Sequence, residues 1–64
     1  MSDETASGEA NRVRAAELHA RARELEARRD FAGAIECYVQ SLRLHSDPEV
    51  KAAYLKLLAT VYPM

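Results

Sequence analysis

The sequence predicts an all-α fold, a three-helix antiparallel bundle made of a helical hairpin and a third, capping helix. Three observations carry this. Phe31, Ala34, Ile35, Tyr38 and Leu42 recur at helical steps, as one face of an α-helix rather than an alternating strand. Two punctuation marks, Arg28-Arg29-Asp30 and Ser46-Asp47-Pro48-Glu49, divide the chain into three helix-forming stretches. Both turns are brief, which makes consecutive helices antiparallel neighbours.

The first stretch, Glu9 to Arg29, contains neither Gly nor Pro and is dominated by Ala, Arg, Glu and Leu, all strong helix formers. Residues 1–8 before it are polar and expected to be a disordered tail, with Ser7 as a possible N-cap. The apolar stripe is Ala15, Leu18, Ala22 and Leu25, with Val13 and Ala16 beside it. Its residues are mostly small, which lets a second helix approach closely. Arg14, Glu17, Arg21, Glu24 and Arg28 run along the opposite side and predict a ladder of surface ion pairs. The interleaved glutamates neutralise the arginines, so this face reads as solvated rather than phosphate-binding.

The second helix is expected from Phe31 to about His45. Asp30 suits its N-cap, where a carboxylate accepts orphan amide hydrogens and faces the positive end of the helix dipole. Gly33 weakens the first turn by roughly 1 kcal/mol against Ala, so it signals close packing or tolerance near a helix end. Val39, Ser41 and Leu44 widen the apolar surface, so this helix is expected between two neighbours. The third helix is expected over residues 48–62. Asp47 is its N-cap candidate, and Pro48 fits the first helical position, where a missing amide hydrogen costs nothing. Val50, Ala53, Tyr54, Leu57, Leu58 and Val61 form its main stripe. Leu55, Ala52, Ala59 and Tyr62 lie outside that stripe, and only Glu49, Lys51 and Lys56 carry charge. A terminal helix with so little polar surface implies an uncovered apolar face.

Sixty-four residues make one small domain with a marginal core. Cys37 is the only cysteine, which excludes an internal disulfide or a cysteine-based metal site. It sits amid the Ile35–Tyr38 run and reads as a small packing residue. Nine basic against ten acidic residues, a net charge of -1, argue against dedicated nucleic-acid binding. No apolar run approaches the roughly 20 residues of a membrane span, and the N-terminus lacks the pattern of a secretory signal. A soluble, cytoplasmic protein is the expectation. His19, His45 and Cys37 have no paired base or oriented acid at motif spacing, and no phosphate loop is present, so neither catalysis nor a cofactor is expected.

Ala34 and Tyr38, four apart, carry a small-x-x-x-aromatic pattern in the second helix, with Ser41-Leu42 following. Leu18, Arg21-Ala22 and Leu25 repeat in outline as Tyr54, Leu57-Leu58 and Val61. Leu18 and Tyr54 stand 36 positions apart, against about 34 in the repeat. Over residues 17–62 the chain therefore resembles one tetratricopeptide repeat plus the first helix of a second. The MIT domain, a three-helix module of membrane-remodelling assemblies, is the runner-up resemblance. Its second helix is usually longer.

The tetratricopeptide resemblance implies a non-catalytic interaction module that binds a peptide or helix in a groove lined by the first helix of each repeat. The implied groove positions include Ala16, His19, Arg23, Glu26, Ala52, Leu55, Lys56 and Ala59. The family's Lys/Asn/Arg clamp for a terminal carboxylate is absent at these positions. From the resemblance and the apolar surplus of the third helix together, the expected partner surface comprises His19, Arg23, Ala52, Leu55, Lys56, Leu58, Ala59 and Tyr62. The alternatives are self-association through the third helix, or a chain that opens a longer repeat array.

Overall fold

The computed structural model describes the backbone of residues 3–63 and the side chains of residues 8–63. It contains three helices: α1 (Asp3–Ala27), α2 (Phe31–Leu44) and α3 (Pro48–Val61). Among the described residues there is no strand. The layout is the expected three-helix antiparallel bundle, with α2 packed against both α1 and α3. The wide apolar surface of α2 has this cause: it has two neighbours to cover.

α1 departs from expectation at both ends. It begins at Asp3, inside the stretch expected to be a disordered tail, and Ser7 therefore lies within the helix rather than capping it. Residues 3–8 hold no proline, and Gly8, with open space around it, costs only about 1 kcal/mol in a helix. Met1, Ser2 and Met64 lie outside the described residues. At its other end α1 stops at Ala27, two residues before the expected Arg29. Arg29 takes a left-handed conformation, φ 65°. The Asp30 amide then donates to the Leu25 carbonyl at 2.8 Å and the Arg29 amide to that of Glu26 at 3.0 Å. Those two bonds are a Schellman ending, which satisfies carbonyls the helix leaves open.

The chain turns directly from this ending into α2. Asp30 is the N-cap: the Gly33 amide donates to its Oδ1 at 3.2 Å. A Cβ on Gly33 would fall 2.9 Å from Asp30 Oδ2 and 3.2 Å from Leu25 Cδ1. Glycine therefore lets the capping carboxylate and the Leu25 side chain pack close over this turn, where a methyl would push them aside. Asp47 caps α3 in the same manner, accepting from the Glu49 amide at 2.9 Å with Pro48 in the first turn.

The core is narrow and mostly small. Ala15, Ala22, Ala34, Tyr38, Val50 and Leu57 are buried, and Ala22 and Ala34 have no exposed surface at all. Ala22 and Ala34 let α1 and α2 approach closely, and Tyr38 fills the space beside them against Tyr54, ring centroids 6.2 Å apart. Burying an aromatic ring of this kind stabilises by roughly 2–3 kcal/mol. Leu18 and Leu25, expected in the core stripe, are half-buried at its edge. Val13, expected beside the stripe, is 58% exposed. The reason is direction: at about 3.6 residues per turn, Val13 points to the side of α1 opposite Ala15 and Ala22. At about 1.5 Å per residue, the 25 residues of α1 outrun the 14 of α2. Arg12 comes level with His45 at the end of α2, and residues 8–11 beyond that point are exposed.

Candidate functional site

Because α2 separates α1 from α3, the two outer helices leave a groove between them. It holds a cavity of about 580 Å³ whose floor is Tyr38. His19, Arg23 and Glu26 project into it from α1, at steps of four and three along one face. Glu49, Ala53, Lys56 and Thr60 project from α3 at the same helical spacing. The sequence-predicted residues His19, Arg23 and Lys56 are therefore brought together. Glu26, an implied groove position, and Glu49, which the sequence marks only as one of the third helix's three charged residues, join them. The groove is of mixed charge.

Tyr38 organises the floor. Its hydroxyl donates to Glu26 Oε1 at 3.0 Å, and its ring lies 5.8 Å from that of His19. Burial, the hydrogen bond to Glu26 and the charge of Glu26 together push the Tyr38 hydroxyl up to about 12, against an opposing influence from Arg23. Tyr38 therefore stays protonated and works as a fixed donor. The bond spans twelve positions and two helices, so no local pattern announces it.

The other sequence-predicted partner residues occupy a different surface. Ala52, Leu55 and Ala59 recur on α3 at steps of three and four. Tyr62 follows as the C-cap with a non-helical backbone, one residue past the end of a helix expected to include it, and all four are exposed. Leu55 is 53% exposed and Tyr62 65%. This outer stripe lies on the far side of α3 from Val50 and Leu57, which are buried against α2. None of its residues lines the groove. Leu58, expected with them, is half-buried at the stripe's edge. The single expected surface is thus two. A polar groove runs on the α1 side of α3, and an apolar stripe on its outer side. Ala16, another implied groove position, lines instead a small cavity of about 150 Å³ with Arg12, Ser41 and His45.

The expected ion-pair ladder along α1 is largely open. Arg14–Glu17, at 3.9 Å and with both side chains about two-thirds exposed, is the one ion pair within 4.0 Å among the described residues. Solvated side chains gain little from holding one geometry, and such pairs contribute about 0–1 kcal/mol. Cys37 is half-buried and packs against the core. Among the described residues no three of His, Cys, Asp and Glu gather within reach of a metal ion. No helix among them is long and apolar enough to cross a membrane. The chain matches no family model, no curated protein and no solved structure.

Proposed function

We propose that this chain is a non-catalytic protein-interaction module that docks a helix on the outer stripe of α3. The observation that carries the reading is the apolar, uncovered run Ala52, Leu55 and Ala59 on α3, extended by the exposed ring of its C-cap Tyr62. A lone exposed leucine is ordinary, but an aligned stripe on a helix already packed on its other side marks an interface. Helix-in-groove recognition reads such anchors at i, i+3 and i+7. The tetratricopeptide-like hairpin fits this role as the support that holds α3 from behind, with Ala22, Ala34 and Tyr38 at its closest packing.

The test compares proteins captured by immobilised wild type, Leu55→Asp and Arg23→Glu. Partners lost with Leu55→Asp but kept with Arg23→Glu place docking on the stripe. The reverse places it in the groove and overturns the reading. Circular dichroism on each variant must show unchanged helicity, which is expected because both side chains are exposed.

A further inference from the structure

We infer that the small cavity at the turn between α2 and α3 is a binding site for a divalent tetrahedral oxyanion of the sulfate or phosphate class, completed when His19 and His45 take up protons. The cavity shares no residue with the outer stripe, so the inference does not depend on the docking proposed there.

All three helices contribute to the wall of this cavity of about 150 Å³. Arg12 and His19 come from α1, Ser41 and His45 from the end of α2, and Asp47 from the cap of α3. Arg12 is exposed, and the two histidines and Asp47 are half-buried. Ser41 is buried and its proton is held by the Ala15 carbonyl, so it offers the cavity no donor. The donors are therefore Arg12, His19 and His45. Asp47 is the one carboxylate in the wall, and its Oδ1 already accepts from the Glu49 amide at 2.9 Å. Two imidazoles beside a carboxylate do not make a metal site here, because among the described residues no three such groups gather within reach of one ion.

Charge decides which ligand fits. While the imidazoles are neutral, Arg12 and Asp47 cancel. A histidine side chain gains its proton below about pH 6.5. The wall then holds two positive charges that no carboxylate answers. A divalent anion answers both at once, through charge-assisted hydrogen bonds of the stronger class. The surroundings leave this balance in place. On the other side of His19, Arg23 and Lys56 share the groove with Glu26 and Glu49, two charges of each sign. Tyr38, whose ring lies 5.8 Å from that of His19, stays neutral. Arg43, in the last turn of α2 before His45, is exposed and adds to the positive side. Size agrees with charge. A water takes about 30 Å³ of the liquid, so the cavity has the volume of about five waters. That admits an ion of four oxygens but not the organic part of a phosphate ester.

The same cations also suit the negative end of the α2 dipole, a role that needs no ligand. An NMR titration of the intact chain with sodium sulfate, followed on the histidine ring protons, separates the two. Sodium chloride at equal ionic strength controls for screening. At about pH 5.5 both histidines are expected to shift saturably, with a dissociation constant at least about tenfold lower than at about pH 8. Arg12→Gln and His45→Gln are each expected to weaken binding at least about fivefold, with circular dichroism unchanged. Arg12 is exposed, so its variant keeps the fold even where His45→Gln disturbs the end of α2. Shifts that follow ionic strength alone mean that the cations serve only the dipole, and they overturn the inference. Equal affinity at the two pH values, or binding indifferent to Arg12→Gln, overturns it as well.

Discussion

The Tyr38 hydroxyl donates to Glu26 Oε1 at 3.0 Å, linking α2 to α1 at the floor of the groove. The acceptor is a carboxylate and the ring is buried, so the bond belongs to the stronger class. Tyr38→Phe keeps the packing and removes the donor. We expect a loss of about 1–2 kcal/mol in urea unfolding. Glu26→Gln, which retains an acceptor, should cost less.

The same bond predicts a dependence on pH. Tyr38 titrates at about 12 in the fold, against 10.0 for an unperturbed tyrosine. The folded state therefore holds the proton more tightly than the unfolded chain. The resulting stability is complete below pH 10 and falls as pH climbs from there toward 12. Thermal unfolding across that window should show a steeper loss for wild type than for Tyr38→Phe. Ultraviolet titration should show one of the three tyrosines ionising late. Equal slopes for the two proteins would contradict the assignment.

What the sequence made legible was the local grammar. Asp30, Asp47 and Pro48 mark helix starts through chemistry confined to a single turn, and all three occupy the expected places. Ala15, Ala22, Ala34 and Tyr38 showed their burial through helical spacing alone. Val13 sits two residues before Ala15 in sequence, yet at about 3.6 residues per turn it faces away from Ala15 and Ala22 and stays exposed. Features set by the relative lengths and positions of helices were not legible. Lys56 and Leu55 are neighbours in sequence, yet only the placement of α1 assigns one to the groove and leaves the other on the outer stripe. Arg29 gave no sign of its left-handed conformation, since glycine is the usual residue there.

Ser41 makes the second link between α1 and α2. Its hydroxyl is buried and donates to the Ala15 carbonyl at 2.8 Å. Ser41→Ala removes the donor but leaves a carbonyl already placed within a helix, so a loss of about 1 kcal/mol is expected. Ser41→Val adds volume against buried Ala15 and should cost about 1–3 kcal/mol through overpacking. A chemical-denaturation series on the two variants should therefore rank valine below alanine. The opposite rank would mean that the helices separate easily at this level.

Arg29 offers a stabilising change. Its φ of 65° suits glycine, and its side chain is exposed. A left-handed residue with a Cβ costs roughly 1–2 kcal/mol, part of which glycine returns as greater freedom of the unfolded chain. Arg29→Gly should raise stability by about 0.5–1 kcal/mol. A higher denaturation midpoint with an unchanged slope is the expected result.

Gly33 sets two local effects against each other. Helix propensity favours Gly33→Ala by up to about 1 kcal/mol. The new methyl, however, would stand 2.9 Å from Asp30 Oδ2 and 3.2 Å from Leu25 Cδ1, so the capping carboxylate must move. Losing an Asp cap costs about 1 kcal/mol, and crowding against Leu25 adds to that, so the single substitution should destabilise. The decisive comparison is a double-mutant cycle with Asp30→Ala. Once the carboxylate is gone, the propensity gain faces only the Leu25 contact, and Gly33→Ala should become neutral or stabilising. The two substitutions should therefore be non-additive by about 1 kcal/mol, as residues in direct contact are. Additive effects would mean that Gly33 is held by α1 alone and that the cap adjusts freely around an added methyl.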